Sequence, residues 1–72
     1  MAREIIEAPL PGKILQVNVT VGNTVEEGGV VCTIEAMKME NPILSPVRGS
    51  VTEVAVSVGQ LVKTGDKIAV IE

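Results

Sequence analysis

The sequence predicts an all-β domain made of two copies of one unit, and three observations predict it. No segment carries a 3.6-residue apolar period long enough for a helix, while short valine-rich runs alternate with polar residues. A shift of 37 residues lays the second half on the first. Pro9 then falls on Pro46, Gly12 on Gly49, and Val17, Val19 and Val21 on Val54, Val56 and Val58. Gly22 falls on Gly59, Val25 on Val62, Gly28 on Gly65, and Ile34 and Glu35 on Ile71 and Glu72. Similar residues agree as well: Ile14 with Val51, Thr20 with Ser57, Val31 with Ile68, Cys32 with Ala69. Two units are too few for a solenoid, and neither could bury its valine face alone. The halves must therefore pack on each other, as a small sandwich or flattened barrel with approximate two-fold symmetry. One domain spans 1–72, with repeats at about 5–35 and 42–72 joined by a hairpin at 36–41.

In order, residues 5–8 are short and partly β-branched and read as a strand. Pro9-Leu10-Pro11-Gly12 stops it, because prolines cannot continue a ladder. Residues 13–21 read as a half-buried strand with Val17, Val19 and Val21 on one face. Gly22-Asn23 is a turn, Val25 belongs to a very short strand, and Glu26-Glu27-Gly28-Gly29 is a solvated turn. Residues 30–35 form the next strand, and residues 39–44 the one after it. The second half repeats the series, with Gly22, Gly28, Gly59 and Gly65 as corner residues suited to positive φ.

Composition excludes several functions. The net charge is −3, the six basic residues are scattered and there is no aromatic residue, so neither a phosphate stripe nor a base-stacking platform exists. With no His, one Cys and one Asp, no nucleophile–base pair or metal cluster is legible. No run approaches the ~18 apolar residues of a membrane span. The opening Met1-Ala2-Arg3-Glu4 lacks signal-peptide character, and the lone Cys32 suits a reducing compartment, so a cytoplasmic location is expected. Cys32 sits in an apolar run and reads as a core residue.

The repeat also acts as a filter. What occurs twice is scaffold, and residues 36–41 have no counterpart. Met37 and Lys38 fall at the tip of a tight hairpin, where two-residue turns demand positive φ and favour Asn-Gly, Asp-Gly or Gly-Gly. A local rule broken at the symmetric centre points to function. Lys13, Lys63 and Lys67 read as solvated charges; Lys38, flanked by Met37 and Met39, reads as an amine presented for modification.

Glu35-Ala36-Met37-Lys38-Met39-Glu40 resembles the attachment motif of biotinyl domains, the biotin carboxyl carrier family, whose centre is Met-Lys-Met. The resemblance extends over nearly the whole chain, including the opening Pro9-Leu10-Pro11-Gly12. It implies a flattened eight-stranded antiparallel β-sandwich (a barrel-sandwich hybrid) with the lysine on an end hairpin. The gapless first half leaves no space for the protruding "thumb" of some acetyl-CoA carboxylase carriers, so the chain resembles the thumbless members. By resemblance, Lys38 carries biotin as an amide made by a biotin-protein ligase, with Met37, Met39, Ala36, Glu35 and Glu40 as candidate recognition residues. Glu35 recurs as Glu72, which favours a plain strand-end role for it. The implied role is a non-catalytic carrier that shuttles a carboxyl group between a biotin carboxylase and a carboxyltransferase or decarboxylase subunit. The alternative is a lipoyl carrier of a 2-oxo acid dehydrogenase system, whose lysine is usually set in Asp-Lys-Ala. An unmodified adaptor module would need no Met-Lys-Met at its tip.

Overall fold

The computed structural model describes residues 3–72, so Met1 and Ala2 of the opening tetrapeptide lie outside the described residues. Eight strands follow in order: β1 (Glu4–Glu7), β2 (Gly12–Val17), β3 (Thr24–Val25), β4 (Val30–Ala36), β5 (Met39–Leu44), β6 (Gly49–Val54), β7 (Leu61–Val62) and β8 (Lys67–Ile71). They form two four-stranded antiparallel sheets, ordered β1-β8-β6-β3 and β5-β4-β2-β7. Advancing each label by four converts one order into the other, which is the two-fold relation the repeat predicts.

The halves do not form one layer each. Each sheet takes two strands from either half, and four of the six pairings (β1–β8, β2–β7, β3–β6, β4–β5) join strands of different halves. Two-residue strands such as β3 and β7 cannot hold an edge by themselves, so each borrows a longer strand from the other copy. Equivalent hydrogen bonds recur across the exchange. Ile14 N–H donates to the Gln60 carbonyl at 2.9 Å and Gly59 N–H to the Ile14 carbonyl at 2.8 Å. Val51 N–H donates to the Asn23 carbonyl and Gly22 N–H to the Val51 carbonyl, at 2.8 and 2.9 Å.

One expectation is corrected. β2 ends at Val17, and Val17, Val19 and Val21 do not share a face: they are half-buried, buried and 63% exposed. Val54, Val56 and Val58 follow the same series, with Val58 67% exposed. A bulge between Ile14 and Gln16 shifts the β2–β4 register, and a turn then closes over residues 20–23. In that turn Asn23 N–H donates to the Thr20 carbonyl at 3.0 Å, and Thr20 N–H donates to Asn23 Oδ1 at 2.9 Å. Val21 sits at the corner before Gly22, whose φ is 98°, as the second central residue of such a turn requires. Residues 57–60 repeat it around Val58 and Gly59. The first strand also lies one residue earlier than expected, with Ile6 inside and Ile5 outside.

The core is wholly aliphatic. Ile14, Val31, Cys32, Ile34, Val51, Ile68, Ala69, Val70 and Ile71 are each at most 1% exposed. Cys32 is the core residue the sequence suggests, and burial pushes its thiol up to about 11. The only buried polar side chain among the described residues, Ser45, donates its hydroxyl to the Val47 carbonyl at 2.6 Å. The molecule is elongated, 36 × 17 × 17 Å, so it presents two distinct ends.

Candidate functional site

β4 and β5 make the longest ladder in the molecule, from Val30↔Leu44 to Ala36↔Met39, and Met37 and Lys38 close it. Their φ values are 54° and 63°; they are the only described non-glycine residues with positive φ. The two-residue loop thus takes the left-handed geometry that matches strand twist, without the residues that adopt it freely. Each L side chain held there costs about 1–2 kcal/mol. Long flanking strands supply that energy, and the result is a fixed turn rather than a floppy loop. Asn41 stiffens its base: Nδ2 donates to the Ile34 carbonyl of β4 at 3.3 Å and to the Met39 carbonyl at 3.2 Å. Sequence reading assigned Asn41 no role. An amide side chain three residues past an unusual turn is the signal the sequence offers, and the structure shows it half-buried.

The expected site residues separate by direction. Met37 is 91% exposed, Met39 64%, and Lys38 is exposed between them. Glu35 and Glu40 are exposed and stand directly opposite each other across β4 and β5. Like charges in that position repel, so the pair leaves an acidic spot beside the turn. Ala36 points the other way and packs in the core. The alternation of a strand dictates this: Glu35 outward, Ala36 inward.

Electrostatically the lysine is free. Three ion pairs exist among the described residues: Arg3 with Glu72 at 4.0 Å, Arg48 with Glu26 at 3.2 Å, and Lys67 with Glu53 at 2.8 Å. Lys38 takes part in none. Beside it lies an open groove lined by Pro11, Lys13, Glu35, Met37, Leu61 and Lys63. Among the described residues no group of three His, Cys, Asp or Glu could hold a metal, and no buried side-chain nitrogen or oxygen lacks a hydrogen-bond partner. An exposed primary amine on a rigid turn can accept an acyl group and project a long arm. The geometry therefore fits a covalently attached prosthetic group.

The sequence profile of the family described as "Biotin-requiring enzyme" (Biotin_lipoyl) matches residues 4–71. The chain belongs to this family. It is 56% identical over 39 residues to the gamma subunit of glutaconyl-CoA decarboxylase from Acidaminococcus fermentans, covering 54% of this chain and 27% of that one. It is 50% identical over 44 residues to the biotin carboxyl carrier protein of Streptococcus mutans, covering 61% of this chain and 34% of the relative. The crystal structure of Kluyveromyces lactis urea carboxylase contains a segment that superposes on all of this chain with a TM-score of 0.92 at 32% identity. That segment is 6% of the urea carboxylase chain. The biotinyl fold is thus shown, and the family member spans about a third or less of the length of these relatives.

Proposed function

We propose that Lys38 is the biotin attachment point, and that the chain carries a carboxyl group between separate active sites of a biotin-dependent carboxylase or decarboxylase. The observation that carries the reading is the turn itself. An unpaired, exposed amine stands between two exposed methionines on a strained two-residue hairpin, within a family of biotin-requiring enzymes. The relatives' names, a decarboxylase subunit and a biotin carboxyl carrier, support the carboxyl-transfer class over lipoyl transfer.

The chain's own contribution is positional. A biotin-protein ligase would join an activated carboxyl group to Nζ; the ammonium first gives up one proton, the C–N bond forms as the activating group departs with its electron pair, and the nitrogen gives up a second proton to become the amide N–H. The ammonium charge disappears, taking the net charge from −3 to −4. Bound biotin supplies a ring nitrogen able to accept and release a carboxyl group. The sandwich supplies a stiff base for the arm, so delivery becomes intramolecular, at effective concentrations around mM for short flexible links. The partners would be a biotin carboxylase and a carboxyltransferase or decarboxylase component. The single cysteine supports a reducing, cytoplasmic setting.

The test is intact-mass analysis after incubation with a biotin-protein ligase, ATP and biotin, followed by peptide mapping. One biotin adduct on Lys38 is expected. Lipoylation by a lipoate ligase with no biotin adduct would transfer the chain to the dehydrogenase class, and an adduct elsewhere would overturn the site.

A further inference from the structure

The repeat supplies its own control surface, because the positions beside the hairpin on β2, β4 and β7 have counterparts at the far end. Across the sheet next to the turn, aligned outward positions read Glu40, Glu35, Lys13 and Leu61 on β5, β4, β2 and β7. Lys63, just past β7, lines the same groove as Lys13, Leu61 and Met37. At the far end the positions of Lys13, Leu61 and Lys63 hold Ser50, Thr24 and Glu26. Gly12 and Gly49, Val62 and Val25, and Glu35 and Glu72 match between the two ends. The scaffold is therefore repeated; Pro11 stands where the far end has Arg48, which is held by Glu26, and the other three departures replace two small polar residues and a carboxylate with an exposed leucine and two cations.

The ion pairs make the same division independently. The chain has six basic residues; Arg3, Arg48 and Lys67 are ion-paired, and Lys13, Lys38 and Lys63 are not, among the described residues. All three unpaired cations stand at the hairpin end, in a chain whose net charge is −3. Leu61 is 76% exposed and Met37 91%, so neither gives much to the core. A single exposed leucine is ordinary. One set between two unpaired lysines in a groove beside the candidate site is a patterned surface.

We infer that Lys13, Leu61 and Lys63 are a docking surface for the enzyme that acylates Lys38, which meets them with carboxylates set around a small apolar recess. The inference rests on the proposed attachment at Lys38. Reach selects the partner. Forming an amide at Nζ brings the modifying active site down onto the turn, and its rim against the groove. Partners that act at the far end of a loaded arm stand off by the arm's length. Charge selects the character of the rim. Glu35 and Glu40 occupy the β4–β5 side and the cations the β2–β7 side, so complementarity places the partner's carboxylates over β2 and β7.

The experiment measures biotin transfer by a purified biotin-protein ligase with this chain as the varied acceptor. The combined variant Lys13→Ser, Leu61→Thr and Lys63→Glu gives these three positions the residues of the far side, which the fold already accommodates at equivalent positions. The reciprocal variant Ser50→Lys, Thr24→Leu and Glu26→Lys is the control. The KM for the combined variant should rise about tenfold or more with kcat nearly unchanged, and the reciprocal variant should behave as the parent. Raising salt from about 50 to about 500 mM should weaken transfer to the parent chain and have much less effect on the combined variant. A thermal melt checks folding; should the combined variant melt early, Lys63→Glu alone is compared, with a KM rise of about threefold expected. A parental KM in the folded variant, a salt-insensitive parent, a loss confined to kcat or an equal loss in the reciprocal variant would each overturn the docking surface. Failure of the ligase to modify the parent chain would instead overturn the attachment at Lys38.

Discussion

The two ends of this sandwich were made from the same unit, yet they leave different things exposed. At the far end Glu72 accepts a hydrogen bond from Thr52 Oγ1 at 3.2 Å and lies 4.0 Å from Arg3, while Arg48 holds Glu26 at 3.2 Å. At the hairpin end Glu35 has neither neighbour: Leu15 occupies the position of Thr52. Lys13, Lys38 and Lys63 stand without carboxylate partners among the described residues, and the turn is left-handed without a glycine. One end closes its polar groups on itself, and the other keeps them available to something else. Duplication provides the rigid body, and divergence at a handful of positions gives one end a task.

The comparison can be broken in four ways, from the largest effect down. Lys38→Arg keeps the charge and removes the acyl acceptor; biotin incorporation should be lost completely, while stability by urea denaturation stays within about 0.5 kcal/mol of the parent. Residual incorporation in that variant would place the reactive amine elsewhere. Gly12→Ala and Gly49→Ala test the shared scaffold instead. A Cβ at Gly12 would run into the Glu35 carbonyl and Ile34, and one at Gly49 would stand 2.6 Å from the Glu72 carbonyl. Each should cost about 1–3 kcal/mol or more, with similar losses at both ends. A cost at one end alone would break the equivalence.

The third test uses a difference within the core, where Cys32 stands in place of Ala69. Its folded thiol ionises near 11 rather than 9.0, so the folded state holds the proton more tightly than the unfolded chain does. Stability should therefore be unaffected by the thiol below about pH 9 and fall as pH rises from about 9 to about 11. Cys32→Ala should remove that decline, as parallel denaturation series of the variant and the parent would read. The smallest effect belongs to the turn. Met37→Asn puts a residue tolerant of positive φ at the first corner and should stabilise the domain by up to about 1 kcal/mol while keeping Lys38. A destabilised Met37→Asn would mean that the methionine side chain, rather than the backbone, dominates there.

Much of this was written in local pattern. The offset of 37 residues is read directly by laying the chain on itself, and the corner glycines and the Met37-Lys38 tip are properties of residues near one another in the chain, where short-range sterics act. The left-handed φ of Gly22, Gly28, Gly59 and Gly65, from 85° to 98°, is what glycine allows at the tight turns where these four stand. Tertiary structure decided the rest. The alternation of Val17, Val19 and Val21 looked like one buried face, but a bulge set by pairing with β4 and a turn closed by Asn23 put Val21 in solvent. The sheets exchange strands between halves because a two-residue strand gains its ladder only from a distant partner. That same exchange brings Leu61 and Lys63 from the second half beside Lys13 and Glu35 of the first and Met37 of the hairpin. A sequence states which residues depart from a repeat; only non-local pairing gathers those departures on one side of the lysine.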